Sequence, residues 1–221
     1  MIIHNFEQYS PEWWAIRQGI PTASCASNII TAAKGDLSVS CRNYINELLA
    51  EKKGLGDPPM EPTDWMKRGT ELEPEARRFF TFETGLQTQE VGIVLNDNGT
   101  AGASADALIP NQDQTLFDEM TADEWHVPPG VIRAGLEIKC PKPSTHIGYL
   151  LNPGLPNTYK QQVHFSLAVS GLDLWYWMSY HPELDPVIIQ VERDEYTEKV
   201  EKAIDQFLLL QFAAMEQLGI S

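Results

Sequence analysis

Between Gly135 and Pro141 the chain reads Gly-Leu-Glu-Ile-Lys-Cys-Pro, with a further stop at Pro143. Apolar and charged residues alternate here, which is the pattern of a strand. The predicted strand covers Ala134 to Cys140. In a strand, residues i and i+2 point to the same side, so Glu137 and Lys139 share one face while Ile138 faces the opposite layer. Leu136, Ile138 and Cys140 argue for burial. Buried charges without a task cost of the order of several kcal/mol. The pair therefore points to a site, although a Glu-X-Lys on a solvated face needs no function.

The rest of the chain supplies layers for such a strand. Helices are predicted at Pro11 to Gln18, from a capped start near Thr22 or Ser24 onwards, and at Arg42 to Lys53. Gly54 to Pro62 reads as a loop. Thr63 to Thr84 reads as helix, with a new helix opening near Pro74. Leu86 to Leu95 and Thr100 to Ile109 are predicted strands joined by Asn96-Asp-Asn-Gly, a strong hairpin signal. Thr158 to Val169 is predicted helical. Strands follow at Leu174 to Tyr180 and Val187 to Glu192, the second opening after Pro186. Thr197 to Leu218 places Val200, Ala203, Ile204, Phe207, Leu208 and Met215 on one helical face, with Gly219 as its C-cap. This order implies an α/β fold, a mixed central β-sheet flanked by helices. No linker-like shift divides residues 1–221, so a single domain is expected.

Charge sets a conflict. The 221 residues carry 16 basic and 31 acidic side chains, a net charge of −15. So acidic a chain is not an obvious partner for nucleic acid. Eight of the 16 basic residues lie between Lys34 and Arg78, however, while Gln112 to Pro129 carries acids and no Lys or Arg. The region about 111–133 is expected to be an acidic surface insertion. Three scattered cysteines with no CxxC fit a reducing compartment and no structural zinc. With no signal-like start and no long apolar run, a cytoplasmic protein without a membrane span is expected.

Asp106 lies on the predicted strand before the Glu137 strand and can sit beside it. Two carboxylates and an ammonium at one sheet edge suit Mg²⁺, which takes one or two protein carboxylates and keeps several waters. The amine could orient a water and stabilise charge building on a phosphate. Glu73, in Gly69-Thr-Glu-Leu-Glu73, can point inward from a helix, although acids also favour a helix's first turn through its dipole. Gln162, in Gln162-Val-His-Phe165, can face the same cleft.

Gly69-X-X-X-Glu73, Ser104-X-Asp106, Glu137-X-Lys139 and Gln162-Val-X-Phe165 occur in the order of restriction-endonuclease-like nucleases of the PD-(D/E)XK type. More closely, the chain resembles the phage lambda exonuclease and YqaJ-type viral recombinase family. Trp14-Ala-Ile-Arg17-Gln-Gly-Ile-Pro-Thr22-Ala-Ser24 matches the family's opening motif, and Gly135 to Pro141 matches its core strand. The resemblance runs from about Trp13 to Leu218. It implies a Mg²⁺-dependent 5′→3′ exonuclease with a restriction-endonuclease-like core. Such an enzyme digests one strand of linear double-stranded DNA and leaves 3′ single-stranded tails for phage-type recombination by strand annealing.

The resemblance also assigns roles. Asp106 bridges two Mg²⁺ ions, with Mn²⁺ as a substitute. Glu137 and the backbone carbonyl of Ile138 complete one metal, and Glu73 serves the second. Lys139 positions or deprotonates the attacking water, and Gln162 holds the lysine or the water. Arg17, Ser24 and Ser104 take the 5′ phosphate. An arginine fork and a helix N-terminus near Thr22 suit that task on physical grounds. Met66, with Trp65, stands where the family places an apolar wedge between the strands. A homotrimer ring and a single-strand annealing protein are the implied partners, in a bacterial cell and from a phage or prophage. The chain departs from the lambda enzyme in the roughly thirty residues between Asp106 and Glu137, and in Phe165 in place of a tyrosine. The competing readings are another PD-(D/E)XK nuclease, such as an endonuclease or a RecB-like module, and a catalytically silent DNA-end-binding subunit.

Overall fold

The computed structural model describes residues 1–58, 61, 63–111 and 124–220. Its strands form two four-stranded sheets rather than a single central one. In the first, β1 (Ile2–His4) lies between β2 (Ile93–Leu95) and β5 (Glu124–His126), and β3 (Gly102–Ala103) adds to β2. All its pairs are antiparallel. The second runs β4 (Ala107–Pro110), β6 (Ile132–Lys139), β7 (Leu174–His181) and β8 (Leu184–Glu192). It is mixed, with β6 and β7 parallel and the outer pairs antiparallel.

A parallel pair needs a crossover. Here it holds two helices, α5 (Pro143–Leu151) and α6 (Asn157–Ser170). The long helix α4 (Asp64–Thr84) covers one face of the mixed sheet. Its Ala76 and Phe80 pack with Leu136 and Ile138 of β6 and with Tyr176 and Met178 of β7. On the other face, Val163 and Leu167 of α6 pack with Trp175 and Trp177. The mixed sheet is thus flanked by helices as expected. A third cluster joins α2 (Ala26–Ile29) and α3 (Cys41–Lys52) to the C-terminal helix α7 (Glu195–Leu218) through Ile29, Leu48, Val200 and Phe207 among others, while α1 (Pro11–Arg17) is fixed outside it by Trp13, whose Nε1 donates to the Gly92 carbonyl.

Several sequence expectations are corrected. Pro74 opens no new helix, because α4 runs continuously through it. The predicted strand Thr100 to Ile109 divides between the two sheets as β3 and β4, and the break falls at Ser104–Asp106. The segment after Thr22 is a 3-10 turn at Ala23–Cys25 and then one α turn, not a long capped helix, and Thr22 makes no side-chain cap. Pro186 lies inside β8 rather than before it, next to a register irregularity on the sheet's outer strand, where proline is tolerated. Of the expected insertion, residues 112–123 lie outside the described residues. Its later part is built into the fold: β5 pairs with β1, and Val127 and Ile132 are buried.

Candidate active site

The site forms where the chain passes from the first sheet to the second. Asp106 sits at the entrance to β4, and its backbone N–H donates to the Leu136 carbonyl at 3.0 Å. Its carboxylate Oδ2 accepts the Ile138 N–H at 2.5 Å. Asp106 is thereby fixed to β6 by both backbone and side chain. Leu136 and Ile138 point into the α4 layer, so Glu137 and Lys139 point the other way, as the period of two requires.

Glu137 is 3% exposed. Its Oε1 accepts from Gln162 Nε2 at 2.6 Å and from Lys139 Nζ. Gln162 reaches it from α6, and Lys139 also stands over the Tyr159 ring, 5.5 Å from its centre. Glu73 approaches from α4 without a hydrogen bond to these residues. One turn further along α4, Arg77 donates to the Asp106 carbonyl at 3.4 Å and pairs with Glu90 at 2.7 Å, fastening the helix beside the site.

Arg17 occupies a second centre. Its guanidinium donates to Ser104 Oγ at 2.9 Å and, at 3.4 Å each, to Thr22 and Ser24. It lies 4.1 Å from the centre of the Trp13 ring. Trp13 Nε1 also donates to Ser104 Oγ, at 3.0 Å. Ser104 and Asp106 are two residues apart, so their Cα atoms lie within about 7 Å. A cleft of about 680 Å³ is lined by Glu73, Ile138, Lys139 and Tyr159, and by Tyr9, Trp65, Met66 and Lys67 toward its mouth.

Residues 12–173 match the family described as the YqaJ-like viral recombinase domain. The chain belongs to that family. The YqaJ-family chain is also similar to solved structures. An alkaline exonuclease from Laribacter hongkongensis, LHK-Exo, aligns with a TM-score of 0.74 and 28% identity over 95% of this chain and 96% of its own. The same enzyme in complex with dAMP aligns with a TM-score of 0.73 and 27% identity over the same shares. A phage-related exonuclease from Haemophilus somnus 129PT shares the fold, with a TM-score of 0.60 and 13% identity over 90% of this chain and 96% of its own. Among curated proteins no significant match is found.

Electrostatics in this YqaJ-family site follow from packing like charges together. Burial pushes the Asp106 carboxyl well above the usual range, and Glu137 and Glu73 add to the rise. Burial also raises Glu73, against the lowering effect of Arg77 and Lys139. Burial alone would lower Lys139, but Glu137 and Asp106 hold its ammonium above the ordinary lysine value. The neighbouring Cys140 thiol is pushed up to about 12 by burial, Glu73 and Asp106.

The structure brings Glu137, Lys139 and Gln162 into direct hydrogen-bonded contact and ties the Asp106 carboxylate to the Ile138 N–H between Glu137 and Lys139, while Glu73 lines a cleft with Ile138 and Lys139. Arg17, Ser24 and Ser104 form one cluster. Met66 lies exposed at the cleft mouth beside Trp65. Sequence reasoning missed the aromatic walls, Tyr9 and Tyr159. Tyr159 was legible as the residue three before Gln162 on one helix, where i and i+3 are neighbours. The helix N-terminus expected near Thr22 is a single turn, and what gathers there is the side-chain cluster of Arg17, Thr22, Ser24 and Ser104.

Among the described residues, no group of three or more His, Cys, Asp or Glu side chains is arranged so that it could hold a metal ion by itself. The donor set nevertheless fits a hard cation. Asp106 spends Oδ2 on the Ile138 N–H and Glu137 spends Oε1 on Gln162 and Lys139. That leaves Asp106 Oδ1 and Glu137 Oε2 as free hard donors. Mg²⁺ takes one or two carboxylates and fills its shell with water and phosphate oxygen.

Proposed function

We propose that this YqaJ-family protein is a Mg²⁺-dependent exonuclease. It digests one strand of linear double-stranded DNA from a 5′-phosphorylated end and leaves 3′ single-stranded tails. The observation that carries this reading is the adjacency of two centres on one short segment. Ser104 belongs to the Arg17 cluster and Asp106 to the Glu137–Lys139 cluster. An anion pocket beside a hydrolytic centre suits an enzyme that counts from a terminal phosphate. The likeness to LHK-Exo over 95% of the chain supports the same reaction class, and the dAMP bound by that enzyme is a mononucleotide product of the kind expected.

Asp106, Glu137, the Ile138 carbonyl and, on the second side, Glu73 would hold the divalent ions, Mg²⁺ or Mn²⁺. When bound, such ions activate water and stabilise charge on the phosphoryl oxygens. Lys139 stays protonated between two carboxylates, so its role is donation. It orients the attacking water and meets the negative charge developing on the scissile phosphate. Gln162 holds Glu137 Oε1, which fixes the carboxylate's orientation. Arg17 grips the terminal phosphate through a planar fork, with Ser24 and Ser104 beside it. Water attacks phosphorus, the P–O3′ bond breaks, and a 5′-mononucleotide leaves. The shortened strand then carries a new 5′ phosphate, so each cut regenerates the end that Arg17 recognises.

Met66 and Trp65, exposed where they line the cleft, would part the strands. A homotrimer ring and a single-strand annealing protein as partner belong to the same reading through the family resemblance. Light scattering and co-purification address them. Linear duplexes labelled at the 5′ or the 3′ end, and a covalently closed circle, test the reaction itself. The expected result is early release of 5′ label as mononucleotide, late loss of 3′ label and an intact circle. Cutting of the circle would favour an endonuclease. Binding of ends without release of any label would favour the silent end-binding subunit.

A further inference from the structure

Tyr9 stands in a backbone conformation that its side chain makes costly. Its φ is 69°, and it is the one non-glycine residue with positive φ among the described residues. The Ser10 N–H donates to the Glu7 carbonyl at 3.2 Å, closing a four-residue turn with Tyr9 in the third position. A turn with positive φ there calls for Gly or Asn, and an aromatic residue gains nothing locally. Such strain persists where the surroundings hold it, and it concentrates at functional sites.

The surroundings here are the two centres of the proposed exonuclease. Gln8, the preceding residue, donates from Nε2 to the Ala105 carbonyl at 2.9 Å and to the Val91 carbonyl at 3.1 Å. Ala105 is the residue between Ser104 and Asp106. The turn is therefore pinned to the segment that joins the phosphate pocket to the carboxylate site. The Tyr9 ring lies 5.1 Å from the ring of Trp13, which itself carries Arg17 on its face. Tyr9 also lines the cleft with Glu73 and Lys139, yet it is 57% exposed. The Tyr9 hydroxyl is hydrogen-bonded to Thr70 of α4, which holds the far end of a strained aromatic that is not buried and so keeps a face to offer.

We infer that Tyr9 is a positioning residue: its ring stacks on the base of the 5′-terminal nucleotide while Arg17 holds that nucleotide's phosphate and Lys139 faces its 3′ phosphodiester. This rests on the exonuclease reading and deepens it. The terminal nucleotide spans from one centre to the other, and Tyr9 is the exposed aromatic set between them. A base has a π face whatever its identity, so stacking positions every nucleotide in turn without sequence preference. Unstacking from the second base is a cost that the ring offsets.

The test uses a linear duplex carrying 2-aminopurine at the 5′-phosphorylated terminus, bound in Ca²⁺ to slow turnover, and the same duplex under Mg²⁺ for kinetics. Tyr9→Gly suits the turn and should fold with unchanged or higher Tm, which separates loss of stacking from loss of structure. Wild type is expected to quench the terminal 2-aminopurine more than a 2-aminopurine placed internally in the duplex. Tyr9→Gly should lose that quenching and lower kcat/KM by about ten-fold or more. Tyr9→Phe should restore both relative to Tyr9→Gly, because the ring and not the hydroxyl is required. Equal quenching by wild type and Tyr9→Gly, with wild type still digesting the duplex, would overturn the stacking role and leave the exonuclease reading standing. A Tyr9→Phe as impaired as Tyr9→Gly would assign the effect to the hydroxyl and also overturn it. Failure of wild type to release any terminal nucleotide under Mg²⁺ would remove both.

Discussion

Glu137 is held at one oxygen by two donors, Lys139 and Gln162, and is nearly sealed from water. Truncating it would leave an ammonium without its partner, so the informative changes keep the shape. Glu137→Gln and Asp106→Asn should fold while losing hydrolysis, and Lys139→Ala should lower the single-turnover rate by roughly 10²–10⁴, the range for a positioned proton donor or acceptor. Arg17→Ala should erode the advantage of 5′-phosphorylated over 5′-hydroxyl ends. An unchanged ratio of the two rates would move the phosphate pocket elsewhere.

The raised pKa values of Asp106 and Glu73 carry a stability consequence. Without divalent ions, the folded protein holds these protons more tightly than the unfolded chain, whose Asp and Glu titrate near about 4. Stability is therefore lost as pH rises from the unfolded value through the raised folded value. A divalent ion binds the ionised form and offsets the loss at the upper end. Thermal melts should show Mg²⁺ raising Tm more at pH 8 than at pH 5, with most of the difference gone in Asp106→Asn. A Mg²⁺ effect independent of pH, or equal in the variant, would contradict this.

At the scale of elements, the site depends on how closely β6 approaches β7. Gly135 lies opposite Trp175 in the parallel pair, and a Cβ on Gly135 would come within 2.3 Å of the Trp175 ring. Gly135→Ala should destabilise by about 1–3 kcal/mol and displace the strand that carries Glu137 and Lys139. Denaturant melts would read the first effect and nuclease assays the second. This strand was legible because a period of two with buried apolar neighbours leaves little choice of face. The division at Ser104–Asp106 was not, because Thr100 to Ile109 is uniformly small and apolar around it and reads as one strand. The chain changes sheets there, and Ser104 and Asp106 lie on that change. Helix α5 was hidden by Pro141 and Pro143, which read as stops. Pro143 in fact opens the helix, where a missing N–H costs nothing. Strand β1 is three residues long, too short for any periodicity to mark. The strain at Tyr9 has no sequence signature at all, since it lies in φ and not in residue type.

Across the whole molecule, an acidic protein must present positive charge locally to engage DNA. Lys67 and Lys142 line the cleft with Lys139, inside a chain of net charge −15. Among the described residues no helix is long and apolar enough to cross a membrane. Reversing Lys67 or Lys142 to Glu should weaken binding to all duplex sequences alike and reduce the slope of log K against log salt by about 1 each. Titrations at several salt concentrations would read that slope, and an unaltered slope would place the DNA path outside this cleft.

The proposed exonuclease has Asp106, Glu137 and Lys139 acting as one hydrolytic centre beside a terminal-phosphate pocket. Single-turnover release of the 5′-terminal nucleotide from a labelled, 5′-phosphorylated linear duplex, in wild type and Asp106→Asn, decides that assignment. Wild type should release a labelled 5′-mononucleotide with Mg²⁺ and none in EDTA, and Asp106→Asn should bind the duplex but release none. Comparable release by the variant, or release by wild type without a divalent ion, would remove these residues from the chemistry.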